Sequence, residues 1–201
     1  MAVASVDNIK NSSTVASINV IRYIDGLGQL VVDHIRDGFE PYMASFMFKL
    51  GSFECRSRDQ QMREEISRVY SRFLTECVRN PHSRHNRRGK PILIGCQDWP
   101  VWKRHKEDRL IALPWEGVHW GAILLVPPRS RLKVGVKDHF ETVKRNAYVL
   151  PGQPLSRIHI EHVSYRPEYA TEYVFKSLKR GRCSIDDILI LPLSESERPD
   201  Y

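Results

Sequence analysis

The chain has 201 residues, 41% of them hydrophobic and 27% charged, a balance that fits one ordinary globular domain with a sizeable core. Mean hydropathy is −0.42 and no eighteen-residue apolar run occurs, so the sequence predicts no membrane-spanning helix. The net charge of +7 is local, because nine Lys or Arg stand against three acids between Arg79 and Arg109; this footprint suits a polyanion, nucleic acid first, although a solvated surface loop has the same composition.

In chain order, residues 1–17 are small and polar and are expected to be disordered, outside the core. They lack the basic start and apolar centre of a secretory signal. Ile18 to Arg36 places Val20, Ile24, Leu27, Val31 and Ile35 near helical period, while Gly26 and Gly28 leave a hairpin open as the alternative. Tyr42 to Leu50 reads as a strand closed by Gly51. Asp59 to Val78 carries a helical stripe of Met62, Ile66, Val69, Tyr70, Phe73, Leu74 and Cys77, stopped by Asn80-Pro81. After a loop over His82 to Lys90, Pro91 to Gln97 is a second strand, and a basic connection runs from Trp99 to Glu116. Gly117 to Val126 is a third strand, ended by Pro127-Pro128.

Lys133 to Val149 reads as a helix and Arg157 to Val163 as an alternating strand. Pro167 to Arg180 is a helix opened by Pro near its first position and stopped by Gly181. Ile188 to Leu191 is a short last strand, and 194–201 is a loose acidic tail. The main domain is therefore placed at 18–193. With few crossovers, the order predicts an α+β fold with a mainly antiparallel central sheet flanked by helices. Cys55, Cys77, Cys96 and Cys183 lie far apart without a Cys-x-x-Cys pair, which suits reduced thiols and a cytoplasmic protein.

Two constellations carry chemistry. Tyr169, Tyr173 and Lys176 follow at spacings of four and three, which puts them on one face of a helix. A phenol can form a covalent phosphodiester intermediate and an ammonium can hold a phosphate oxygen; the same spacing describes a buried amphipathic helix with a snorkelling Lys. His119, between Gly117 and Gly121 on one strand face, has the open space a phosphate or ligand needs, or is a buried histidine satisfied by a carbonyl. Trp99, Trp102, Trp115 and Trp120 lie in or near the basic stretch and suit either stacking on unpaired bases or packing beneath the loop.

The run Val118-His119-Trp120-Gly121-Ala122-Ile123-Leu124-Leu125-Val126-Pro127 resembles the histidine strand of the HUH superfamily of replication initiators, relaxases and related transposases. Tyr169 to Lys176 resembles the tyrosine motif of its two-tyrosine rolling-circle initiators. The resemblance implies an HUH endonuclease-like fold with a ferredoxin-like or RRM-like core. It also implies nicking and joining of single-stranded or hairpin DNA through a 5′-phosphotyrosine, for a phage, plasmid or mobile element, with a separate helicase as partner. Carried over residue by residue, Tyr173 is the principal nucleophile, Tyr169 the second, and Lys176 the supporting cation.

In the family both strand histidines bind a divalent ion, Mg²⁺ or Mn²⁺. Here only His119 fits, and Gly121 stands at the second position. Asp98 or Gln97, or His159 with Glu161, would have to complete the set. Arg84, Arg87, Arg88, Lys90, Lys103 and Arg104 are expected to hold the DNA. The rival expectations are a DNA-binding relative of the same fold without catalysis, for which Gly121 speaks, and an RNA-binding module using the same basic and aromatic surface.

Overall fold

The computed structural model describes residues 6–49, 58–83, 89–98 and 119–193. Strands β1 (Glu40–Phe48), β2 (Ile92–Asp98), β3 (His119–Val126), β4 (Leu155–His162) and β5 (Leu189–Leu191) form one sheet in the order β4-β1-β3-β2-β5. Every pairing is antiparallel, as the sequence led us to expect. Helices cover both faces, so β2 is buried along its whole length and β3 everywhere past His119. Their near-continuous apolar runs follow from that sandwiching. β2 and β3 approach so closely that a Cβ built on Gly95 would lie 2.4 Å from the Gly121 carbonyl oxygen and 2.6 Å from Ala122 Cβ. Only glycine fits there.

One face is covered by α2 (Arg58–Cys77), which buries Met62, Ile66, Val69, Tyr70, Phe73 and Cys77, the stripe legible in its sequence. Leu74, on the margin of that stripe, is only half-buried. The segment expected as a single helix over Lys133 to Val149 is instead α3 (Val136–Asp138), a π-helical turn over His139–Val143, and α4 (Arg145–Tyr148). The wider turn lets His139 and Phe140 both pack against Phe73 and brings His139 Nε2 to 2.7 Å from the Tyr148 hydroxyl. Glu141, from the same turn, accepts the Ile160 N–H at 2.8 Å and so fastens it to β4.

The other face is covered by α1 (Val6–Arg36), α5 (Pro167–Val174) and α6 (Lys176–Lys179). Two expectations are corrected here. Residues 6–17, expected to be disordered, belong to α1. The hairpin alternative through Gly26-Leu27-Gly28 does not form, because Ile24, Leu27 and Val31 are drawn together into the core under this face. At Gly28, α1 lies against the start of α5, and a Cβ there would make an ordinary contact 3.8 Å from the Glu168 Cα.

The tyrosine helix begins at Pro167 and stops at Gly181 as expected. Gly181 is left-handed at φ +64°, and the N–H groups of Gly181 and Arg182 close the end by bonding to the carbonyls of Leu178 and Ser177. The helix is not continuous, however. Phe175 leaves helical geometry at φ −91°, ψ 18° and separates α5 from α6, with its ring fully buried among the core residues under this helical layer. No helix among the described residues is long and apolar enough to cross a membrane. Cys77, Cys96 and Cys183 are free thiols.

Candidate active site

Asp98 ends β2 and His119 begins β3, directly opposite each other in the antiparallel register. Side chains alternate along a strand, so both project to the same face as Cys96, Ile94, Gly121 and Ile123, the face that α5 and α6 cover. His119 Nε2 lies 2.9 Å from Asp98 Oδ2. From above, Lys176 Nζ reaches the same oxygen at 2.5 Å, and the Ser177 hydroxyl donates to Oδ1 at 2.8 Å. Asp98 itself is only 3% exposed.

Burial pushes the Asp98 carboxyl up, but hydrogen bonds from His119, Lys176 and Ser177 and the charge of His119 outweigh it and hold its pKa below the ordinary value. Asp98 is therefore a fixed negative charge with donors on both oxygens. Lys176 connects it to Tyr173, since its Nζ also sits 4.1 Å from the centre of the Tyr173 ring, within cation–π range. Tyr173 is 49% exposed, so its phenol is open to a ligand rather than sealed in the core. The break at Phe175 aids this arrangement: α6 restarts at Lys176, and Lys176 and Ser177 together reach Asp98 while Tyr173 faces outward.

Tyr169 is 64% exposed and lies about 6 Å further up the helix. It lines an open cleft of about 480 Å³ between α1 and α5 together with Asp25, Arg166, Glu168 and Glu172. Three carboxylates there make its surroundings less hospitable to a phosphate than those of Tyr173. The two tyrosines, equivalent by spacing, thus sit in different electrostatic settings.

Several residues singled out by sequence do not join this site. Gln97 points to the opposite face, where its amide nitrogen stands 3.8 Å from Met62 Sδ. His159 and Glu161 share the face but lie on β4, two strands from β3, roughly 10 Å across the sheet. His159 is held there between Glu141 at 3.0 Å and Glu161 at 3.2 Å. Trp120, a candidate for base stacking, is fully buried beneath the Arg63 guanidinium, because its position on β3 faces α2. Lys90, expected to contact DNA, is 2% exposed and is removed from that surface. Arg84, Arg87, Arg88, Lys103, Arg104, Trp99, Trp102 and Trp115 lie outside the described residues, as does the tail 194–201.

The residues present do not fit a resident Mg²⁺ or Mn²⁺ as the fold holds them. Among the described residues no group of three or more His, Cys, Asp or Glu side chains is placed to hold a metal ion. His119 and Asp98 are a pair, Gly121 offers no donor, and both Asp98 oxygens are engaged by Lys176, Ser177 and His119. A hard divalent ion wants several oxygen ligands. Ser177, which no motif announced, is the one member of the cluster that sequence reasoning missed; its only signal is adjacency to Lys176.

Restoring the absent donor meets a packing limit. A Cβ on Gly121 would make ordinary contacts, 3.8 Å from Val174 Cγ1 and 3.9 Å from the Val174 carbonyl oxygen, but an imidazole extends further into the layer under α5. Gly121→Ala should hold or raise stability by about 0.5 kcal/mol, whereas Gly121→His should lose about 1–3 kcal/mol by overpacking. Urea unfolding measures both, and a Gly121→His protein as stable as wild type would show room for the ring. No protein-family model matches the chain, and comparisons with curated proteins and with solved structures return no match either, so the site's own residues and geometry are the ground for a functional reading.

Proposed function

We propose that this chain is an HUH-type, replication-initiator-like protein that nicks and rejoins single-stranded or hairpin DNA through a phosphotyrosine on Tyr173. The observation that carries the reading is the exposed Tyr173 phenol with the Lys176 ammonium against its ring, anchored through Asp98 to His119. A tyrosine nucleophile needs an open approach and a nearby positive charge, and this arrangement offers both. The strand order supports the reading as well. β1 to β4 run 4-1-3-2 with α2 between β1 and β2 and α3 to α4 between β3 and β4, which is the split βαβ arrangement of a ferredoxin-like core.

In this reading Tyr173 attacks phosphorus, Lys176 and His119 face the phosphate, and Tyr169 is the second tyrosine. The basic stretch around Arg84, Arg87, Arg88, Lys103 and Arg104 supplies backbone affinity, a separate helicase opens the duplex, and the setting is cytoplasmic. Incubation with a degenerate single-stranded oligonucleotide pool followed by denaturing electrophoresis tests it. A protein–DNA adduct that resists boiling and contains phosphotyrosine is the expected result, and its absence over all DNA pools, with and without Mn²⁺, would remove the reading.

A second reading, a DNA-binding relative without catalysis, is favoured by two observations: Gly121 stands where the resembling family has its second histidine, and Lys176 already neutralises Asp98. It predicts binding without adduct. An RNA-binding module is distinguished by competition between RNA and DNA of matched length. Where affinity is electrostatic, neutralising Arg84, Arg87 and Arg88 together should flatten the slope of log K against log salt by about 2, since each phosphate contact on a single strand contributes about 0.7. Filter binding across a salt series reads this, and an unchanged slope would place the nucleic acid elsewhere on the protein.

A further inference from the structure

We infer that Lys176 is the resident cation of this site, holding on Asp98 the place a divalent ion would take, so that the site works without metal. Asp98 Oδ2 receives both the Lys176 ammonium at 2.5 Å and His119 Nε2 at 2.9 Å, and Ser177 occupies Oδ1. An ion bound by Asp98 and His119 would sit about 2 Å from that oxygen and hence within about 5 Å of the ammonium, where like charges in a half-buried setting repel strongly. The two cations therefore exclude each other, and the built-in one is already seated. It is also placed for use, because the same Nζ stands 4.1 Å from the Tyr173 ring.

The catalytic consequence rests on the nicking reading. The Tyr173 phenol oxygen forms a bond to phosphorus and the bond from phosphorus to the 3′-oxygen breaks, its electron pair staying on that oxygen. The phenol proton ends there through solvent, leaving a 5′-phosphotyrosine and a 3′-hydroxyl. Nothing is oxidised or reduced. Lys176 stabilises the charge that builds on the non-bridging phosphate oxygen, the service a divalent ion otherwise performs.

The test has two arms on the full chain. In the first, Mn²⁺ is titrated into wild type, Asp98→Asn and Lys176→Met and followed by electron paramagnetic resonance. Wild type should show no binding that Asp98→Asn removes, and Lys176→Met should bind Mn²⁺ at least about tenfold more tightly, because the competing charge is gone. Asp98-dependent binding by wild type, or no gain in a folded Lys176→Met protein, overturns the inference. Should Lys176→Met fail to fold, the comparison of wild type with Asp98→Asn decides. In the second arm, adduct yield in excess chelator should stay within about twofold of the yield with Mn²⁺, since no step needs the ion. An adduct formed only with Mn²⁺ overturns the inference and leaves the nicking reading standing. No adduct in either condition removes the nicking reading, and the titration then decides the inference alone.

Discussion

Tyr173→Phe should reduce covalent protein–DNA adduct by on the order of 10³-fold or more, because it removes the hydroxyl proposed as the principal nucleophile and keeps the ring. The aromatic ring remains, so the Lys176 ammonium keeps its seat 4.1 Å from it and the Asp98 cluster stays assembled. DNA affinity and thermal stability should therefore match wild type, and denaturing electrophoresis beside a binding isotherm separates the two effects. Tyr169→Phe should affect the first cut far less, since that phenol lines the cleft with Asp25, Glu168 and Glu172 rather than the Lys176 site. Wild-type adduct levels in Tyr173→Phe would remove the assignment, and a shift of the whole effect to Tyr169→Phe would exchange the two roles.

Asp98→Ala should be the most damaging single change to stability at the site, about 2–4 kcal/mol. It leaves Lys176, His119 and the Ser177 hydroxyl without the carboxylate that holds them under a packed helix layer. The lower part of that range reflects Lys176 and His119, which still reach water. Asp98→Asn keeps an acceptor for Ser177 and should cost about half as much. The same pair of proteins gives a pH signature. The folded-state pKa of Asp98 is depressed, so its contribution is present above the unfolded carboxyl value of about 4 and is lost as pH falls through the folded value below that. Urea unfolding should thus show a gap between wild type and Asp98→Asn at neutral pH that closes in acid below about pH 4. A gap that persists unchanged into strong acid would mean the carboxylate charge is not what stabilises the cluster.

Much of the architecture was legible because it depends on local periodicity. The α2 stripe from Met62 to Cys77 follows from a 3.6-residue repeat that only one face can satisfy. The strands followed from apolar runs cut by Pro and Gly, and Pro167, with its fixed φ, and Gly181, free to adopt positive φ, bounded the tyrosine segment. The pairing of Asp98 with His119 was among the options the sequence offered, since each lies at an end of an adjacent predicted strand; Gln97 was equally eligible until the strand phase was known.

What the sequence by itself determined, then, is the five strands, the α2 helix, the antiparallel α+β class and the residue types from which a site could be built. The tertiary structure decided which of them meet. Register turned Asp98 toward His119 and Gln97 toward Met62, because a strand's side chains alternate and a shift of one residue reverses every face. The tyrosine helix breaks at the buried Phe175, and beyond the break Lys176 and Ser177 reach Asp98 while Tyr173 stays exposed. The π-helical turn at His139–Val143 answers to the crowding of Phe73, Phe140 and Tyr148, and burial withdrew Trp120 and Lys90 from any ligand. These outcomes depend on contacts between residues tens of positions apart, for which local propensity carries no signal.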